Sequence, residues 1–190
     1  ARYYLYYKRY DRAIPMLKRG IAANPYLLFS ENLLAQAYLE KGMIDSAFYF
    51  SKKAFYGLPN NALHAANLAK VLSATKDTME LNKAFNKLSG RSNPVIWRNF
   101  ILAYGASVPI GDPGLASTIK KAIELYPGDP EMKNLQRAYV IGQDAINNSN
   151  IIAQGALQFY NNRRYIEAAS KFVEAGNINF VEYSHFENAA

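Results

Sequence analysis

The sequence predicts an all-α fold, a right-handed superhelix of antiparallel helix pairs, and three observations carry the prediction. Pro25 and Pro59 stand at the same separation as Ala13 and Ala47. The residues around them recur in the same register: Asp11-Arg12-Ala13-Ile14 with Gly20 and Asn24-Pro25, then Asp45-Ser46-Ala47-Phe48 with Ala54 and Leu58-Pro59. Prolines and glycines fall between apolar stretches rather than in a low-complexity tract. A fixed period of roughly 34 residues marks supersecondary units that bury their apolar faces on one another.

The unit from Leu28 is complete. Small residues, Ala35, Ala47 and Ala54, stand at repeat positions 8, 20 and 27, where two paired helices approach most closely. Leu34 and Tyr38 fill the space between them. Gly42 permits the tight turn, and Pro59 ends the second helix because it lacks an N–H and clashes with the preceding turn. On these residues the chain resembles the tetratricopeptide repeat (TPR) family, whose unit is two antiparallel helices in about 34 residues.

The other units depart from the pattern. The first is truncated, with Ala1 at position 8, Tyr4 at 11, Tyr10 at 17 and Ala13 at 20. The third, from Ala62, keeps Leu68, Ala69 and Phe85 but carries Leu81 and Leu88 where small residues belong, which should widen its packing. A fourth starts near Pro94 with Trp97, Ala103 and Tyr104, then a longer connection, Gly105 to Gly114, before a helix holding Ala122. Asp129 to about Asn147 reads as one helix outside the register. Ala156, Phe159, Tyr165, Ala168, Phe172 and Ala175 open a further unit. Phe180, Tyr183, Phe186 and Ala190 recur at helical spacing as the first helix of one more. The domain reading is a first array over 1–128, a linker helix over 129–150, and a second array begun over 151–190. It totals about twelve helices.

Half of the 190 residues are hydrophobic, enough for a continuous core without metals or disulfides, and there is no cysteine. A chain without cysteine suits the cytoplasm and the periplasm alike. No run reaches the ~20 apolar residues of a membrane helix. The net charge of +7 is uneven: nine Lys and Arg against four Asp and Glu over 1–60, eight against four over 61–128, and five against seven over 129–190. A basic front favours an anionic partner, although solvated lysines on outer helix faces give the same count.

Nothing in the sequence assembles a catalytic, cofactor or metal site. His64 and His185 are far apart and in no metal-binding spacing. Gly105 to Gly114 lacks the lysine–serine pair of a phosphate loop and the glycine fingerprint of a dinucleotide site, and reads as a turn. Tyr3, Tyr4, Tyr6, Tyr7 and Tyr10 lie beside Lys8, Arg9 and Arg12, a mixture that can stack bases, yet Tyr4 and Tyr10 occupy packing positions. Nucleic acid is therefore the lesser reading.

The TPR resemblance implies that the first helix of each pair lines a concave face, with repeat positions 2, 5, 9, 12 and 13 toward a ligand. Those positions hold Arg2 and Tyr6; Phe29, Asn32 and Gln36; Ala66, Lys70 and Ser73; and Arg98 and Leu102, among others. The lining is apolar with polar anchors, which suits an extended or helical peptide. Arg2, Tyr6, Phe29, Asn32, Gln36, Lys70 and Arg98 are the expected contacts. Of the residues that clamp a chaperone carboxylate tail in some family members, only Asn67 is in place. The implied function is a non-catalytic scaffold for a protein or peptide, and uncapped ends would let copies associate. A second resemblance rests on Leu58-Pro59-Asn60-Asn61-Ala62-Leu63-His64 and the linker helix. It is similar to tails of bacterial O-antigen polymerase or ligase proteins, and implies a soluble portion of a membrane-anchored envelope protein.

Overall fold

The computed structural model describes residues 1–88 and 92–180. Among them are eleven α-helices, one π-helical turn and no strand. The helices are α1 (Arg2–Tyr6), α2 (Tyr10–Ala23), α3 (Leu28–Glu40), α4 (Ile44–Gly57), α5 (Ala62–Thr75), α6 (Thr78–Lys87), α7 (Pro94–Gly105), α8 (Pro113–Leu125), α9 (Pro130–Gln136), α10 (Gln143–Asn161) and α11 (Tyr165–Ile178), with the π turn at Arg137–Ile141. Contacts divide the chain into two compact units, residues 1–107 and 108–190.

The hairpin turns repeat in their backbone. Lys8, Gly42 and Lys76, each one repeat period from the next, all adopt a left-handed conformation with φ of 54°, 71° and 55°, and Arg163 between α10 and α11 does so at 60°. At three of these turns the hydrogen bonds match. Lys8, Gly42 and Arg163 donate to Leu5, Leu39 and Tyr160, while the next residues, Arg9, Met43 and Arg164, donate to Tyr4, Tyr38 and Phe159. Together they satisfy carbonyls that a helix end leaves open. Glycine meets the left-handed requirement at Gly42 alone; lysine and arginine take it elsewhere at a conformational cost. The pairs α1–α2, α3–α4, α5–α6 and α10–α11 are thus helical hairpins, each with a left-handed residue at its turn.

Helix starts follow local chemistry. The side chains of Asn61, Asp77, Asn93, Asp112 and Asp129 accept hydrogen bonds from main-chain N–H groups of the first turn. Pro94, Pro113 and Pro130 stand just inside their helices, where no partner for an N–H is needed. Pro15 differs from the expectation that prolines separate the helices, since it lies inside α2.

The small residues of the register occupy the interfaces. Ala13, Ala47, Ala54, Ala156 and Ala175 are wholly buried. Leu17, Leu34, Tyr38, Ala47 and Val71 form one cluster of unit 1. An aromatic chain joins its later helices: the Phe100 ring on α7 meets Phe55 of α4 at 5.1 Å and Phe85 of α6 at 5.9 Å, both edge-on, and Phe85 meets Trp97 at 5.5 Å. Leu81, large where the repeat asks for a small residue, is fully buried. Correspondingly α5 touches α6 only sparsely and packs chiefly on α4 and α7.

In unit 2, α10 and α11 form the tightest hairpin, around Ala153, Ala156, Ala168, Phe172 and Ala175. The single helix expected over 129–147 is broken. After α9 and the π turn, Gly142 (φ 81°, ψ 153°) interrupts the helix in a conformation open only to glycine, and α10 begins at Gln143. The helix expected from Phe180 to Ala190 lies beyond the described residues, apart from Phe180.

Candidate functional site

The first helices of successive pairs lie side by side in unit 1. Asn67 on α5 donates its amide to the Oδ1 of Asn32 at 2.9 Å and to the Asn32 main-chain oxygen at 3.2 Å, joining α3 to α5. Both side chains are buried. Between α5 and α7 runs a furrow of ≈ 300 Å³ lined by Ala66, Ala69, Lys70, Ser73, Asn99, Leu102 and Ala103. Short side chains at 66, 69 and 103 make the depression, Leu102 gives it an apolar wall, and Lys70 is exposed at its edge.

The seven residues expected to contact a ligand are not brought to one place. Lys70 lines the furrow. Arg2 and Phe29 come together where α1 meets α3, with the guanidinium carbon 5.7 Å from the ring centroid. Tyr6 is 81% exposed and its ring abuts Tyr7 at 5.1 Å. Gln36 is exposed on α3, and Arg98 is half-buried on α7. Asn32 is 3% exposed, so it braces the face from beneath. Ala69, Asn99 and Ala103 are absent from the expected contacts, although Ala69 and Ala103 are legible as small residues in successive units.

Two polar networks lie elsewhere in unit 1. Glu80, 4% exposed on α6, accepts from the Tyr56 hydroxyl at 2.7 Å and the Lys52 ammonium at 3.0 Å, both on α4. Burial alone would raise its pKa, but the hydrogen bonds from Tyr56 and Lys52 hold it below the ordinary carboxylate range. Burial, then the bond to Glu80, pushes the Tyr56 phenol up. Glu80 is therefore ionised at neutral pH and clamps α4 to α6. Also from α4, Lys53 pairs with the wholly buried Glu31 of α3, and that bond raises the Lys53 pKa.

His64 stands in the first turn of α5, within the electrostatic reach of Glu31. Its Nδ1 lies 3.0 Å from the Ala54 carbonyl. A carbonyl only accepts, so Nδ1 carries the hydrogen, and the buried Nε2 has no partner. Burial lowers the His64 pKa, against the opposing pull of the Ala54 carbonyl and Glu31. His64 thus ties α5 to the end of α4, while His185 lies outside the described residues.

The connection after α7 is a turn, as its sequence implies. Gly111 (φ 84°) donates to the Tyr139 carbonyl at 2.8 Å, and Asp112 caps α8. Among the described residues no group of three or more His, Cys, Asp or Glu could hold a metal ion, and no helix is long and apolar enough to cross a membrane.

No family model matches the chain, and no curated protein matches it. Nothing in these comparisons supports the resemblance to polymerase or ligase tails. Among solved structures, the chain is similar to a thermophilic TPR protein of Thermus thermophilus, at 16% identity over 95% of this chain and 90% of that one, with a TM-score of 0.42.

Proposed function

We propose that unit 1 is a non-catalytic interaction scaffold that holds an extended peptide segment of a protein partner on the face made by α1, α3, α5 and α7. The furrow between α5 and α7 carries the reading: it is walled by small and apolar side chains with a lysine at its edge, which suits an apolar side chain next to a carboxylate. Exposed Phe29, Leu63 and Leu102 add apolar surface on the same helices. Residues 1–107 carry fifteen Lys and Arg against six Asp and Glu, a net +9, which favours an acidic segment. Arg2, Tyr6, Phe29, Gln36, Lys70 and Arg98 are the proposed contacts, with Asn32 and Asn67 fixing the helices behind them.

Selection of random displayed peptides on the full chain tests this. Recovered peptides should share an apolar residue flanked by Asp or Glu, and Leu102→Glu with Lys70→Glu should weaken them about tenfold or more. Peptides that bind this double variant as well as the parent would place the site elsewhere.

A further inference from the structure

His64 stands at the joint between two helical hairpins, α3–α4 and α5–α6, and the joint leaves no place for a second proton on its ring. The side chain is 1% exposed. Its Nδ1–H is donated to the Ala54 carbonyl at 3.0 Å, and the same carbonyl closes the last turn of α4 by accepting from the Leu58 N–H at 3.2 Å. Nε2 is buried without a hydrogen-bond partner, so a proton taken up there meets no acceptor. Glu31 of α3 acts on the ring through its charge without accepting a hydrogen bond from it, and Lys53 of α4 holds Glu31. Among the described residues, α6 and α7 bring no charged group to bear on His64. Burial outweighs the pull of the Ala54 carbonyl and Glu31 and keeps the imidazole neutral at neutral pH.

We propose that the α4–α5 joint is opened by acid: a proton on His64 draws the ring out to water and releases the first turn of α5 from the end of α4. Protonation leaves the Nδ1 donor as it was. What the closed joint cannot accommodate is the second N–H, on Nε2, which finds an acceptor only in water. An open joint with the ordinary histidine pKa of about 6.5, and a closed one that excludes the proton, give an opening equilibrium about tenfold larger at pH 5.5 than at pH 7.5. The opening is local, because it begins where one hairpin meets the next. Its consequence for binding rests on the peptide reading above: α5 carries Ala66, Ala69, Lys70 and Ser73 of the furrow, and its Asn67 is bonded to Asn32, so acid loosens the hold on a partner.

The test follows amide hydrogen exchange in the full chain without a peptide, so its failure is separate from failure of the peptide reading. Rates at pH 7.5 and 5.5 are each divided by the intrinsic rate at that pH. The amides of Leu58 and of residues 65–68 should lose about tenfold in protection, and at both pH values should exchange ahead of Trp97 to Tyr104 in α7, as local opening requires. His64→Gln should remove the tenfold change. In the parent chain, the imidazole nitrogen-15 signals of His64 should titrate over the same pH range as the loss of protection, a readout that does not depend on the variant folding. Protection unchanged by pH overturns the proposal, as does a loss retained in His64→Gln. Exchange at the joint in step with α7 overturns it by making the effect global unfolding. A gain of protection in acid also overturns it, since the protonated ring would then have found Glu31 and tightened the joint.

Discussion

Phe100→Ala removes the ring on which α4, α6 and α7 converge. The side chain is wholly buried and meets Phe55 and Phe85 edge-on at 5.1 and 5.9 Å. Truncating a buried phenylalanine costs about 3–5 kcal/mol, from lost transfer free energy and from the cavity left behind. Each aromatic pair is worth a further ~0.5–1.5 kcal/mol beyond burial, partly counted in that range, so about 4–5 kcal/mol is expected in all. With a urea slope of roughly 1–3 kcal/mol per M, the unfolding midpoint should fall by about 1.3–5 M. The assay is urea unfolding followed by far-ultraviolet circular dichroism and by Trp97 fluorescence, since agreement of the two probes licenses a free energy. Phe29→Ala, at a ring 42% exposed, is the control and should cost far less. A Phe100→Ala cost below about 1 kcal/mol, like that of the control, would refute the interlocking of these helices.

Other consequences follow from the same packing. Ala47→Glu buries a carboxylate where the structure leaves no exposed surface, and should unfold unit 1 or cost several kcal/mol in the same denaturation assay, whereas Arg98→Ala should retain a folded unit. Lys76→Gly relieves a left-handed lysine and should be neutral or stabilising by up to ~1 kcal/mol; a clear loss of stability would mean that Lys76 contributes more than a turn. His64 has a folded pKa lowered below its ordinary value, so the unfolded chain takes up the proton first as pH falls. Its contribution is complete above about pH 6.5 and declines below it, toward the lower folded value. The urea midpoint should therefore hold between about pH 7.5 and 6.5 and drop below that. His64→Gln should flatten that slope, and an unchanged slope would assign it to other groups.

The register of unit 1 is legible because it is written in size. Ala35, Ala47 and Ala54 can be read as close-approach positions without any structure, and burial follows from the helix spacing. Gly42 likewise announces its turn. Lys8, Lys76 and Arg163 do not, because tertiary packing imposes the left-handed conformation on residues with no preference for it. The segment after α9 departs from its sequence reading for a related reason. Ala138, Tyr139, Val140 and Ile141 continue a helical apolar run, and only Gly142 marks the break. Of the proposed binding face, the register identifies Ala66, Lys70, Ser73 and Leu102 in the furrow. It also puts Asn32 on the face, where repeat position alone cannot tell an exposed amide from one drawn under the surface by Asn67.

The most direct test of the scaffold reading is a footprint of a selected acidic peptide on the nitrogen-15-labelled full chain. The account predicts amide shifts concentrated at residues 66–73 and 99–103, with smaller ones near Arg2 and Phe29, lost in the Leu102→Glu and Lys70→Glu double variant. Shifts centred instead on Lys52, Lys83 and Lys87, around the Glu80 clamp, and retained in the double variant would contradict it.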